Sequence, residues 1–207
     1  MTFLQTTDIK SIQEVSHQAH QMTLIKRKQL DHGNTFFQDL MCTPLKIVGK
    51  VYKNSTTKDI HELLVNKIHT KLQVDPFYKI WLDDMAKVCE IFCETLESEA
   101  VSFYLGTQRS CRRYHVDNVP LRLLVTYAGL GTEWIPDDAA DRLAFESGAP
   151  NEEIIKDPSK KQFINTWDIA IFQGGPKGLL HRTPDEALKK PSVFLRLDHS
   201  SFWDHFS

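Results

Sequence analysis

The chain has 207 residues, 41% apolar and 25% charged, with a formal net charge of -2. Such a composition supports a substantial core and excludes an extended disordered chain, and the near-neutral balance offers no basic field for duplex nucleic acid. No apolar run reaches the ~18–20 residues that span a bilayer, and the opening residues lack a secretory leader pattern, so the reading is a cytoplasmic protein with no membrane partner. The four cysteines (Cys42, Cys89, Cys93, Cys111) form no secreted disulfide framework.

Asp8 is placed to cap a helix over 9–20, with Ile9, Ile12, Val15 and Ala19 at helical spacing; His17 and His20 read as polar surface. Met22–Lys26 suggests a short strand. A helix follows from Asp31 to Cys42 with Phe36, Phe37 and Leu40 inward, then an alternating strand over Leu45–Tyr52. Ile60, Leu63, Leu64, Ile68 and Leu72 predict one helix over 57–72. Asp75-Pro76 supplies a cap and a first-turn proline for a helix to about Glu97, with Phe77, Ile80, Trp81, Met85, Val88, Phe92 and Leu96 inward. Cys89 and Cys93 are four apart on it. Without further thiols or histidines beside them they read as buried core.

From Ala100 the pattern turns to strands: Val101–Leu105, Val119–Tyr127, Asp168–Phe172, Leu179–Arg182 and Val193–Asp198, with turns at Gly129–Thr132 and Gln173–Pro176. The polar stretch 137–161 has no periodicity and predicts a mobile lid. The fold class expected is α+β in a single domain, 1–207, mainly helical over 1–99 and β-rich and metal-binding over 100–199.

Candidate chemistry concentrates at His115-Val-Asp117. On a strand, residues i and i+2 share a face. An imidazole beside a carboxylate is two-thirds of a 2-His-1-carboxylate triad, which leaves open positions on non-haem Fe(II). His181 is the candidate third ligand. Cys111, four residues before His115, is a possible further ligand and would shift the preference toward zinc. The competing reading makes Asp117 a turn cap and leaves both histidines as hydrogen-bonded side chains.

Several blocks occur in order: Cys111-x3-His115-x-Asp117-x4-Arg122-Leu-Leu, Thr126-Tyr127-Ala-Gly129-x-Gly131-Thr132-Glu-Trp134-x-Pro136, His181-Arg182-Thr-Pro184 and Arg196-Leu-Asp198. On these, residues from about 20 to 199 resemble an uncharacterised bacterial domain-of-unknown-function family. The order His115-x-Asp117, His181, Arg196 also resembles the Fe(II)/2-oxoglutarate dioxygenases. That resemblance implies a C-terminal double-stranded β-helix, jelly-roll and cupin-like, against which the helical N-terminal half packs. It implies Fe(II) on His115, Asp117 and His181, and Arg196 facing the barrel interior with donors open to the 2-oxoglutarate carboxylate. Arg122 is a rival catalytic anchor, and Thr126 or Tyr127 could add a hydroxyl. The implied function is an oxygenase acting on a small-molecule or protein substrate. The alternatives are a non-catalytic zinc-binding protein of bacterial metal homeostasis and a barrel that has lost its metal and serves as an interaction module.

Overall fold

A computed structural model describes residues 3–8, 20–30 and 33–202. The helix expected over 9–20 lies outside them, apart from His20. The N-terminal region contributes two short strands, β1 (Phe3–Thr6) and β2 (Met22–Ile25), helix α1 (Gly33–Leu40) and strand β3 (Lys46–Tyr52). Helices α2 (Thr56–Leu64), α3 (Thr70–Gln73) and α4 (Pro76–Thr95) follow.

Helix α4 begins as its sequence dictates. The Asp75 side chain accepts from Phe77 N at 2.8 Å, and Pro76 sits where its missing N–H costs nothing. Trp81, Met85, Val88, Cys89, Phe92 and Cys93 are buried in one apolar core with the sheet, each large apolar side chain contributing ~1.5–3 kcal/mol. Burial raises the Cys89 thiol pKa well above its ordinary value and the Cys93 thiol to about 11. The single helix expected over 57–72 breaks. The His69 ring accepts from Lys71 N at 3.1 Å and caps a new helix, α3, while Ile68 and Leu72 keep their buried places.

The remaining elements are β4 (Ala100–Gly106), β5 (Leu121–Ala128), β6 (Glu133–Ile135), α5 (Arg142–Glu146), α6 (Asn151–Ile154), β7 (Gln162–Phe163), β8 (Ile169–Gln173), β9 (Leu180–Arg182), α7 (Asp185–Lys189) and β10 (Val193–His199). Seven strands form one sheet in the order β1-β2-β8-β5-β10-β4-β3, and three form a second, β7-β6-β9. Among the described residues only the β1–β2 pair is parallel. Alternation divides the large sheet. Leu123, Val125 and Tyr127 of β5 join the helical core. Leu124, with Ala170 and Phe172 of β8, packs instead with Trp134, Ile164 and Leu179.

This overturns the double-stranded β-helix. The fold is a mixed sheet with a helical N-terminal region, and neither sheet closes into a barrel. The reason is length and pairing. Strands β1, β2 and β3 widen the large sheet into an open one with edges at β1 and β3, while β7 and β9 span only two and three residues.

The 137–161 stretch is also not irregular. It carries the short helices α5 and α6, and its Ala139, Ala140 and Ile154 are buried in one cluster with Tyr114, Ile135 and Leu180. Arg113 ties the segment down by donating to the Phe145 and Ala149 carbonyls at 3.2 and 2.9 Å. Among the described residues no helix is long and apolar enough to cross a membrane.

Candidate metal centre

His115 and Asp117 lie before β5, in an extended segment rather than within a strand as expected. One bridge connects this segment to β9. His115 N donates to His181 O at 3.0 Å and His181 N donates to His115 O at 3.1 Å. Directly opposed residues of an antiparallel pair project to the same side, so the two imidazoles sit with centroids 4.4 Å apart. The Gly174–Gly175 turn holds Asp117 from the other side. Gly175 N donates to Asp117 O at 2.7 Å, and Gly174 N to Pro120 O at 3.1 Å. The approach is so close that a Cβ on Gly174 would fall 1.9 Å from Val119 O. The far end of β9 is fixed by Arg182, which donates to both Glu133 oxygens at 3.0 and 3.1 Å.

Ligand atoms of His115, Asp117 and His181 all lie within 4.8 Å of one another. Their protonation is readable from their partners. The Nδ1 atoms of His115 and His181 lie 3.1 and 2.9 Å from the carbonyl oxygens of Arg113 and Leu179. A carbonyl only accepts, so each Nδ1 carries a proton and Nε2 is the ring atom left for a ligand. Burial, opposed by Asp117, lowers the His181 pKa to about 4. His181 Nε2 stands 3.5 Å from Asp117 Oδ2. That oxygen is buried and has no hydrogen-bond partner. Two lone pairs therefore face each other in a buried place, an arrangement that a cation between them would relieve. The donor set, two imidazoles and one carboxylate, is that of a facial triad, and its residues fit a divalent metal.

Arg122 shapes the carboxylate. Its Nη1 bonds Asp117 Oδ1 and its Nε bonds Asp198 Oδ1 at 2.7 Å. Asp117 thus spends one oxygen on Arg122 and turns the other toward His181. Burial alone would lower the Arg122 pKa, but the two carboxylates more than offset it.

The triad histidines open on a cavity of about 110 Å³, also lined by Cys111, Arg122, Arg182, Arg196 and Arg109. Arg196 faces it from β10, but not with the open donors expected: Asp198 Oδ2 lies 3.0 Å from its Nε. Cys111 lines the cavity yet stands outside the ligand group. Thr126 is buried and is not among the lining residues. Tyr127 is on the opposite face of β5, in the helical core, where its hydroxyl donates to Asp84 at 2.8 Å. Sequence reasoning missed Arg109, which sits in a polar stretch after β4 with no pattern around it. It also missed the role of Gly174, visible beforehand only as part of a turn.

Residues 6–198 match the family described as "Protein of unknown function (DUF1826)". The chain belongs to that family. No curated protein matches the sequence. Among solved structures, a 2OG-Fe(II) oxygenase family oxidoreductase from Burkholderia pseudomallei is similar at 8% identity, TM-score 0.38, over 97% of this chain and 95% of that one. The Fe(II)/(alpha)ketoglutarate-dependent dioxygenase TqaL is similar at 12% identity, TM-score 0.37, over 92% of this chain and 73% of that one. AviO1 from Streptomyces viridochromogenes is similar at 12% identity, TM-score 0.30, over 56% of this chain and 59% of that one. Likeness at these scores carries no functional conclusion for this member of the DUF1826 family, whose chemistry is read from its own side chains.

Proposed function

We propose that the protein is an Fe(II)-dependent oxygenase of the 2-oxoglutarate type, with His115, Asp117 and His181 as metal ligands. The observation that carries this reading is the convergence of two Nε2 atoms and the unpartnered Asp117 Oδ2. Bound Fe(II), with O2 and a 2-oxo acid, supplies oxidising power coupled to oxidative decarboxylation of that acid. The protein's own residues bind and orient. His115 and His181 are held in the ligating tautomer by backbone carbonyls, and Arg122 fixes the Asp117 rotamer. Arg196 brings a planar guanidinium to the cavity wall, a shape matched to a carboxylate.

Cys111 outside the ligand group favours this open three-ligand site over a closed tetrahedral zinc site. The four free cysteines accord with a reducing compartment such as the cytoplasm. The shared core of α1–α4 and the large sheet supports a single domain.

The test is metal analysis of untagged protein prepared anaerobically. Expected is one Fe(II) per chain, lost in H115A, D117A and H181A and retained in C111S, with 2-oxoglutarate consumed only by the loaded protein. Tightly held zinc that resists exchange and disappears in C111S would instead establish the zinc site.

A further inference from the structure

Four arginines line the cavity beside the triad: Arg109, Arg122, Arg182 and Arg196. Three of them meet carboxylates inside the protein. Arg122 holds Asp117 and Asp198, Arg182 holds Glu133 and Asp185, and Arg196 Nε lies 3.0 Å from Asp198.

Arg109 differs. Its Nη1 donates to the Leu130 carbonyl at 3.1 Å and its Nη2 to Thr132 Oγ1 at 2.7 Å, both neutral acceptors. Its guanidinium lies over the Phe194 ring, 4.7 Å from the centroid. Among the described residues it forms no ion pair with a carboxylate. Burial lowers its pKa to about 10, with Cys111 opposing the shift, so it remains a cation at neutral pH. The two hydrogen bonds and the ring fix the plane of the fork, yet they use only two of its five N–H donors. A half-buried guanidinium in a fixed plane at the cavity wall, with no carboxylate partner among the described residues, is a preformed carboxylate receptor.

We propose that Arg109 receives a carboxylate of the small molecule bound in this cavity, either that of a 2-oxo acid co-substrate or one carried by the primary substrate. Only the identity of that molecule as an oxygenase ligand rests on the proposed function; carboxylate binding at Arg109 does not.

The experiment is calorimetric titration of the full chain, manganese-loaded and metal-stripped, as wild type, R109Q and R109K. The probes are 2-oxoglutarate, and benzoate added to protein saturated with 2-oxoglutarate; benzamide is the neutral control. A charged hydrogen bond of this kind predicts roughly tenfold weaker binding, or more, in R109Q, with partial recovery in R109K. Loss for 2-oxoglutarate assigns the co-substrate carboxylate. Loss for benzoate alone assigns the primary substrate. Equal binding of both probes to R109Q and wild type, or no binding to wild type, overturns the proposal. If R109Q does not fold, R109K and wild type decide: benzamide binding as tightly as benzoate, with 2-oxoglutarate insensitive to R109K, also overturns it. Metal stoichiometry on the same samples separates the two readings. Arg109-dependent binding without metal uptake refutes the metal centre and leaves Arg109. Metal uptake with Arg109-independent binding does the reverse.

Discussion

Arg122 takes Oδ1 of Asp117 and leaves Oδ2 facing His181 Nε2 at 3.5 Å. One guanidinium thereby decides which way the only carboxylate of the triad points. Arg122 also bonds Asp198, which Arg196 approaches from the same strand region, so the orienting contact is braced on β10.

If Arg122 is an orienting residue, R122Q should keep the fold and weaken Fe(II) or Mn(II) binding by about 10–100-fold, the usual cost of losing a partner behind a ligand. R122K should recover part of it, because a single ammonium can hold Oδ1 but not bridge to Asp198. Competition with a calibrated chelator measures this. Unchanged affinity in R122Q would remove Arg122 from the account.

Gly174 gives a second handle. A Cβ there would stand 1.9 Å from Val119 O and 2.5 Å from Asp117 O, both backbone atoms. G174A must push the Asp117 segment away, at a stability cost of about 1–3 kcal/mol for overpacking. Metal affinity should fall in the protein that remains folded. Wild-type affinity in a folded G174A would mean that the turn does not set the carboxylate.

The site was legible where chemistry follows local order. His115-x-Asp117 and a later His181 name themselves as members of one cluster, and Asp75-Pro76 names the start of α4. What stayed hidden depends on non-local pairing. Closure of a barrel is a property of ladders between strands far apart in sequence, and β9 is too short to extend one. Tyr127 was misplaced by parity, since one step from Thr126 on β5 crosses to the helical core. Arg109 became visible only once Arg122 and Arg182 were seen to be neutralised, and no sequence pattern states which carboxylate an arginine will meet.

Tyr127 tests that parity directly. Its hydroxyl donates to Asp84, which Arg27 also holds at 2.7 Å. Y127F should therefore cost about 1 kcal/mol, the net value of one hydrogen bond, because Asp84 keeps a charged partner. Metal stoichiometry and 2-oxoglutarate binding should be unchanged. A large loss of either, at nearly unchanged stability, would return Tyr127 to the site.

The last prediction concerns acid. Burial, against the opposing pull of Asp117, lowers the His181 pKa from 6.5 to about 4, with His115 and Arg122 adding to the lowering and the Leu179 carbonyl resisting it. The unfolded chain takes up this proton near the ordinary value, whereas the folded chain refuses it until far lower pH. Between these two values the unfolded state binds more protons, so stability falls as pH falls. The slope due to this one group is about 1.4 kcal/mol per pH unit, and it vanishes above the ordinary value, where neither state is protonated. Other groups titrate in the same range, so the measurement is a difference. Chelator-treated wild type and H181Q are unfolded in urea across a pH series. The gap, taken as wild type minus H181Q, should fall steadily as pH drops toward 4, because glutamine has no proton to gain. A gap independent of pH would mean that His181 is not held neutral in the fold, and the paired lone pairs that argue for a metal would then be a protonated contact instead.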